Sequence, residues 1–239
     1  MDKIETLQKM IDESENIVFF GGAGVSTDSG IKDFRSEDGL YSMKYKYPVE
    51  TMLSSGMFNK NPEEFYEFYK NNLNCLDVEP NITHKYLKEL EDRGKLKAIV
   101  TQNIDGLHQK AGSKNVLEIH GTIYKNHCTS CSKEYDAKYV FNSKGVPKCD
   151  CGGIIKPDVV LYGEMLPRCF SSAQYYIYNA DMLIVAGTSL TVEPASSLIN
   201  LFDGKYLVII NKDTTSYDEV ASLVINDSLK KVFEKLKVD

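Results

Sequence analysis

Short apolar runs that end in glycine or polar loops constrain the fold of this chain more than any other feature of its sequence. Five such runs lie at residues 17–20, 97–101, 116–119, 182–186 and 206–210. Stretches with helical periodicity alternate with them, at 3–15, 62–73, 84–93 and 228–237. Strands that alternate with helices are typical of a parallel sheet covered on both faces. We therefore predict an α/β fold whose ligands bind beyond the carboxyl ends of the strands.

The distribution of cysteines sets one part of the chain apart. The 239 residues correspond to between one and two average domains. Between His120 and Pro157 no long apolar run occurs, and this stretch holds four of the six cysteines. We predict that it is a small inserted module without a core of its own. The other two cysteines, Cys75 and Cys169, are expected to pack as small apolar side chains.

Charge and hydropathy exclude several classes of protein. A hydrophobic content of 42% excludes a disordered chain, and a net charge of −6 excludes a broadly basic nucleic-acid-binding protein. The first five residues lack the basic and apolar segments of a signal peptide, and no apolar run approaches the roughly 18 residues of a membrane span. We expect a cytoplasmic protein without membrane contact, whose thiols stay reduced.

The spacing of the four clustered cysteines predicts a structural zinc site. Cys128 and Cys131 form a C-x2-C pair, and Cys149 and Cys151 form a C-x-C pair after seventeen intervening residues. Zinc favours four tetrahedral thiolates, and such a site is coordinatively full, so it stabilises and does not catalyse. The second pair is one residue shorter than usual, which leaves His127 as an alternative fourth ligand. Four unrelated thiols are the remaining alternative.

A glycine-rich loop follows the first apolar run. Gly22 and Gly24 would let backbone N–H groups approach a diphosphate, and the amino terminus of a following helix would add positive potential. Thr27 occupies the third glycine position of G-x-G-x-x-G, and the acidic residue expected about 20 positions further on is missing. The loop therefore favours nucleotide binding but not a hydride-transferring dehydrogenase. A tight turn between a strand and a helix is the alternative.

Polar side chains follow two further predicted strands. Gln102, Asn103 and Asp105 come directly after the run at 97–101, although turn chemistry alone explains Asn and Asp there. His120 follows the run at 116–119. Since the pKa of histidine lies near neutrality, His120 is a candidate general base, with a structural role as the alternative.

Other candidates have weaker signals. Arg35 could pair with phosphate and Phe34 could shield a reactive centre, whereas a solvated surface charge is the alternative for Arg35. His84 and His108 do not follow predicted strands, and we assign them structural roles.

Together these loops resemble those of the sirtuins, the NAD-dependent protein deacylases. The matching stretches run in order along nearly the whole chain, at 22–26, 30–35, 101–105, 120–121, the four cysteines, 160–164, 187–190 and 210–211. Each stretch alone is weak evidence for the family, but all of them in the same order along the chain are highly specific. The resemblance implies a Rossmann-type large domain (about 1–33, 77–122 and 157–239) and a small domain that carries the zinc module (about 34–76 and 123–156).

The resemblance also implies roles for individual residues. His120 would be the general base, while Asn103 and Asp105 would hold the nicotinamide and its ribose. The residues that would contact NAD are Ala23, Thr27, Phe34, Arg35, Gln102, Asn103, Ile104, Asp105, His120, Thr188, Ser189, Asn211 and either Asp227 or Ser228. The substrate backbone would pair as an added β-strand with Val160, Leu161 and Tyr162. Sirtuins usually carry Phe at the position of Tyr162.

The activity implied is the removal of acetyl groups from protein lysines. In the mechanism that the resemblance implies, the acetyl oxygen attacks C1′ of the nicotinamide ribose and nicotinamide leaves. His120 then acts as general base on a ribose hydroxyl, which closes onto the imidate carbon, and water completes the reaction. The products are nicotinamide, O-acetyl-ADP-ribose and free lysine, formed by a catalytic core that we expect to be monomeric. A mono-ADP-ribosyltransferase and a non-catalytic module that binds acyl-lysine or NAD are the alternatives.

The resemblance bears on the choice of acyl group as well. Sirtuins that prefer acidic acyl groups line the acyl pocket with Tyr-x-x-Arg, whose arginine pairs with the distal carboxylate. We match that motif to Tyr66–Tyr69, which lacks the arginine. The sequence therefore predicts acetyl or other neutral acyl groups.

Overall fold

The structure is a computed structural model that describes residues 2–238. Met1 and Asp239, which the predicted domain bounds include, lie outside the described residues. In chain order the strands are β1 (Ile17–Gly21), β2 (Leu96–Thr101), β3 (Val116–Glu118), β4 (Gly121–Cys128), β5 (Glu134–Tyr135), β6 (Ile155–Val159), β7 (Met182–Ala186), β8 (Tyr206–Ile210) and β9 (Leu223–Ile225). The helices are α1 (Lys3–Glu13), α2 (Val49–Met52), α3 (Ser55–Lys60), α4 (Pro62–Leu73), α5 (Ile82–Asp92), α6 (Leu107–Lys110), α7 (Ala137–Asn142), α8 (Cys169–Tyr178) and α9 (Leu229–Phe233).

The larger sheet is parallel throughout, as predicted. Its strand order is β3-β2-β1-β7-β8-β9, and each neighbouring pair runs in the same direction. Gly21 at the end of β1 lies level with Thr101 and Ala186, and Ala186 lies level with Ile210. The chain moves outward from β1 in both directions, which makes this edge of the sheet a topological switch point. The loops that follow these strands therefore meet at one place.

Helices cover both faces of this sheet because successive strand residues point to opposite sides. Phe19 packs into one apolar cluster with Leu7 of α1 and residues of α5 and α9. Phe20 packs into a second cluster with Ile177 of α8 and Leu198. The sheet is consequently buried on both faces, which confirms the α/β prediction.

The cysteine-rich insertion has no separate core, but packs into a core that it shares with the preceding helix α4. Its strands form an antiparallel sheet with the order β5-β4-β6. Ile123 and Ile155 pack against the aromatic face of α4, where Phe65 and Tyr66 are buried. The Tyr66 hydroxyl also donates a hydrogen bond to the Ile155 carbonyl. The insertion lacks a long apolar run because it shares the apolar face of a helix that precedes it in the chain.

Several element bounds match the expectations closely, whereas others were missed. The structure reproduces 62–73, 182–186 and 206–210 as α4, β7 and β8. The C-terminal helix α9 is shorter than the predicted 228–237, and α8 and β9 were not predicted. Among the described residues, no helix is long and apolar enough to cross a membrane.

Candidate active site

A cleft of about 770 Å³ opens at the carboxyl edge of the parallel sheet. It lies between the loops that follow β1, β2, β7 and β8 and a second wall formed by residues 31–41 and 159–164. The residues predicted to contact NAD or substrate all line it, namely Ala23, Thr27, Phe34, Arg35, Gln102, Asn103, Ile104, Asp105, His120, Val160, Leu161, Tyr162, Thr188, Ser189, Asn211 and Asp227. Of the two C-terminal alternatives, Asp227 lines the cleft and Ser228 is not among the lining residues described.

The glycine loop packs tightly against the loop that follows β7. The Gly24 N–H donates to the Gly187 carbonyl at 2.8 Å. A Cβ atom on Gly24 would lie 2.7 Å from the Gly187 Cα, and one on Gly22 would lie 2.8 Å from the Thr188 Cβ. The predicted helix is replaced by two short 3-10 helices, at 23–25 and 27–29, which end where Gly30 adopts a φ of 92°. The helix expected behind this loop is therefore short and of the 3-10 type.

Asn103 and Asp105 are held in a buried polar network around Ser26. The Ser26 hydroxyl donates to Asp105 Oδ2 at 2.6 Å and accepts from Asn103 Nδ2 at 3.0 Å, while the Leu107 N–H donates to Asp105 Oδ1 at 2.9 Å. Burial raises the pKa of Asp105, and the hydrogen bond from Ser26 opposes this effect. Sequence reasoning did not single out Ser26, although it lies in one of the matched stretches, directly after the glycine loop.

His120 has the geometry of a general base. Its Nδ1 lies 3.2 Å from the Gln102 carbonyl oxygen. Because a carbonyl only accepts hydrogen bonds, Nδ1 carries the proton and Nε2 keeps a free lone pair. Burial lowers the pKa of His120, although the bond to Gln102 opposes this shift. The imidazole is therefore neutral at pH 7 and able to accept a proton.

His84 and His108 form a buried pair outside the cleft, as their structural assignment predicts. Their ring centroids are 4.7 Å apart. Burial lowers the pKa of His84 to about 4 and that of His108 well below its usual value. Both rings are therefore neutral core side chains.

A pair of tyrosines joins the two segments of the second wall near Arg35. The Arg35 guanidinium carbon lies 5.2 Å from the centroid of the Tyr41 ring, and the Phe34 ring meets the same ring edge-on at 5.8 Å. The Tyr41 hydroxyl lies 3.1 Å from that of Tyr162. Phenylalanine at position 162 would lack this hydrogen bond.

The predicted substrate strand presents its backbone differently from the expectation. The Tyr162 N–H donates to the Leu53 carbonyl and the Tyr162 carbonyl accepts from the Ser55 N–H, each at 3.0 Å. Tyr162 therefore has no backbone group left for a substrate. In the described part of the chain, the Val160 carbonyl and the Gly163 N–H have no backbone partner.

The match of the acyl-pocket motif to Tyr66–Tyr69 was wrong. Both tyrosines are buried in the core shared with the cysteine module, because α4 turns its aromatic face that way. The last turn of α4 contributes Asn71, Asn72 and Leu73 to the cleft instead. These side chains are neutral, and Asn72 Oδ1 accepts a hydrogen bond from the Tyr45 hydroxyl at 2.8 Å.

The four clustered cysteines converge on one point. Their sulfur atoms lie within 4.8 Å of one another, and the contacts Cys128–Cys151 and Cys131–Cys149 are 3.5 Å long. Zn–S bonds of about 2.3 Å in a tetrahedron place sulfurs roughly 3.8 Å apart, so the cluster fits zinc despite the short C-x-C pair. His127 instead bonds Asp158, with Nδ1 2.5 Å from Oδ1. The structure thus favours the four thiolates over the alternative ligand.

The fold and the cleft define a class of protein: a Rossmann-type, nucleotide-binding enzyme with a structural zinc module. The model of the Sir2 family matches residues 22–194. The NAD-dependent protein deacetylase of Clostridium acetobutylicum is 55% identical, over 98% of this chain and 98% of the relative, and that of Cutibacterium acnes is 45% identical over 98% and 97%. The chain belongs to the Sir2 family.

Solved structures of that family superpose closely. A Sir2 variant with deacetylated p53 peptide and 3′-O-acetyl ADP ribose matches at a TM-score of 0.90 and 37% identity, over 97% of this chain and 96% of that one. A complex of Sir2, p53 peptide and NAD+ matches at 0.87 and 37%, over 98% and 97%. The Rossmann-type fold with a small zinc-binding module, which the resemblance implies, is therefore confirmed, whereas the bounds of the two domains stay a prediction.

Proposed function

We propose that this chain removes acetyl groups from protein lysines and consumes NAD, with nicotinamide, O-acetyl-ADP-ribose and free lysine as products. The observation that carries the proposal is that His120, with its free Nε2, shares one cleft with the buried pair Asn103 and Asp105 and with the open edge at Val160 and Gly163. The deacetylase relatives and the peptide complexes support it.

The cleft residues fit NAD, which supplies both the leaving nicotinamide and the ADP-ribose that receives the acetyl group. Asn103 and Asp105, fixed by Ser26, would orient the nicotinamide and its ribose. Arg35 would pair with phosphate, and Asn211 and Asp227 would bind toward the adenosine end. His120 would take a proton from a ribose hydroxyl through Nε2, since Nδ1 is engaged by Gln102.

The acetyl-lysine peptide would enter on the opposite wall. The Val160 carbonyl and the Gly163 N–H would pair with its backbone, which leaves recognition largely independent of side chains. The residues of the last turn of α4 that line the cleft, Asn71, Asn72 and Leu73, are neutral. This favours an acetyl or another neutral acyl group, because a distal carboxylate would find no cationic partner among them.

The zinc site would support the fold and take no part in the chemistry. Cys128, Cys131, Cys149 and Cys151 do not line the cleft in the described structure. A four-thiolate site needs deprotonated, reduced cysteines. We therefore infer that the protein works in a reducing compartment, the cytoplasm. We also propose that it acts as a monomer.

Mass spectrometry of an acetyl-lysine peptide incubated with the protein and NAD tests the proposal. We expect loss of the acetyl mass together with NAD-dependent release of nicotinamide. A gain of the ADP-ribose mass would instead identify a mono-ADP-ribosyltransferase, and an unchanged peptide would identify a binding module. His120→Tyr should abolish turnover but retain the fold and the zinc; turnover at the parent rate would refute the general-base assignment.

A further inference from the structure

A tight turn ends the segment that borders the substrate side of the cleft. The Glu164 N–H donates to the Leu161 carbonyl at 2.9 Å, and Gly163 between them has a φ of 92°, which favours glycine. The Glu164 side chain folds back over the same turn, and its Oε2 accepts the Leu161 N–H at 2.9 Å. Both backbone polar groups of Leu161 are thus bonded to a single residue.

The Lys156 side chain also binds the Glu164 carboxylate. Its Nζ donates to Glu164 Oε2 at 3.1 Å and to the carbonyls of Pro157 and Val159, each at 3.2 Å. The side chains of Lys156 and Glu164 are only 16% and 28% exposed. A pair this shielded from water, with additional hydrogen bonds, is held far more firmly than a surface ion pair. The lysine thereby ties the turn to the strand β6 that leads into it.

The segment between these anchors is also fixed at its other end. The Val160 N–H donates to the His120 carbonyl at 2.9 Å. The Tyr162 backbone is bonded to Leu53 and Ser55, as described above. Glu164 therefore completes a set of hydrogen bonds that pairs the backbone of Leu161 and Tyr162. Among the described residues, the Val160 carbonyl and the Gly163 N–H, which belong to two residues that line the cleft, have no backbone partner.

We propose that Glu164, held by Lys156, is a positioning residue for the acyl-lysine substrate: it fixes the Leu161 backbone so that the Val160 carbonyl and Gly163 N–H are preorganised to pair with the peptide. This inference rests on the proposed function. Loss of the carboxylate leaves the Leu161 N–H without an acceptor, and the peptide must then order the turn as it binds. The cofactor residues in the loops directly after β2, β7 and β8, such as Asn103, Thr188 and Asn211, make none of the hydrogen bonds of this set.

Steady-state kinetics of the full chain test the proposal, with nicotinamide release read at varied concentrations of an acetyl-lysine peptide and of NAD. The variants are Glu164→Ala, Glu164→Gln and Lys156→Met, and the control is Glu89→Ala, an exposed glutamate on α5. For Glu164→Ala we expect the KM for peptide to rise about 10- to 100-fold, as for the loss of a hydrogen bond to a charged group. The KM for NAD and kcat should change less than about threefold.

Rescue by the conservative variant separates positioning from a general loss of structure. The amide oxygen of Glu164→Gln still accepts the Leu161 N–H, so its peptide KM should stay within about threefold of the parent value. Lys156→Met should lie between the two glutamate variants, and Glu89→Ala should match the parent.

Three results would overturn the inference: an unchanged peptide KM in Glu164→Ala, an equal rise in the KM for NAD, or a glutamine variant as impaired as alanine. If Glu164→Ala does not fold, a parent-like peptide KM in Lys156→Met refutes it. A parent enzyme that releases no nicotinamide with the peptide refutes the proposed function itself, which distinguishes the two failures.

Discussion

Replacement of Gly121 by alanine should disturb both stability and catalysis, because this glycine directly follows the candidate general base. Gly121 has a φ of 78°, in the left-handed region. A Cβ atom there would lie 1.9 Å from the Asp158 carbonyl oxygen and 2.9 Å from its carbon. Since the obstacle is backbone, β4 and β6 would have to separate.

The expected loss of stability in Gly121→Ala has two contributions. The left-handed conformation costs an L-residue about 1–2 kcal/mol. Separation of the strands also strains the hydrogen bond from the Val160 N–H to the His120 carbonyl, whose loss costs about 0.5–1.5 kcal/mol. We expect Gly121→Ala to lower the free energy of unfolding by about 1.5–3.5 kcal/mol. Since His120 would shift with the strand, kcat/KM should fall at least about tenfold.

Gly94 supplies a matched control. It has a φ of 73°, yet within residues 2–238 no heavy atom outside Gly94 and its two chain neighbours lies within 4 Å of a Cβ built on it. In Gly94→Ala the free energy of unfolding should therefore fall only by the cost of the left-handed conformation, about 1–2 kcal/mol, and the variant should retain full activity. Urea unfolding and nicotinamide release measure the two effects. A Gly121→Ala variant no less stable than Gly94→Ala would refute the collision argument, and unchanged kcat/KM would refute the link to His120.

Three further predictions concern pH and zinc. The pKa values of His84 and His108 are lowered in the folded protein, so the unfolded state binds more protons in acid. The free energy of unfolding should therefore fall below about pH 6.5, by about 1.4 kcal/mol per pH unit for each histidine. A urea midpoint independent of pH would contradict this prediction. Because burial lowers the pKa of His120, the acid limb of kcat/KM should lie below pH 6.5, and a limb above pH 7 would contradict the assignment. Chelation of zinc should lower Tm and abolish activity only as the protein unfolds; inactivation of a still folded protein would show a catalytic metal.

The sequence alone predicted the parallel sheet and the location of the cleft. Runs such as 182–186 and 206–210 are apolar on both faces, a pattern that parallel strands require and that few other structures tolerate. Because such strands end at a common edge, the polar residues after them had to converge. The position of His120, Asn103 and Asp105 in one cleft followed from that rule.

Sequence patterns could not predict the packing and hydrogen-bond partners that depend on tertiary contacts. The aromatic periodicity of α4 indicated a buried face at Tyr66 and Tyr69 but not what covers it, so the face was matched to the acyl pocket although it packs on the cysteine module. Likewise, the hydrogen bonds of Tyr162 to Leu53 and Ser55 come from a segment more than a hundred residues earlier. A motif identifies the segment, whereas the register of its backbone depends on what packs beside it.

The insertion of the cysteine module at the edge of the sheet explains why the candidate base and the proposed substrate segment are held together. The chain leaves the parallel sheet at Glu118 and enters the antiparallel sheet at Gly121, so His120 lies in the passage between them. It returns through β6 directly into Val160, whose N–H bonds the His120 carbonyl. Both crossings therefore border the cleft, and each carries a residue of the proposed chemistry. Zinc in the module would stabilise the antiparallel sheet from its far end, and through β4 and β6 it would fix the distance between base and substrate without touching either.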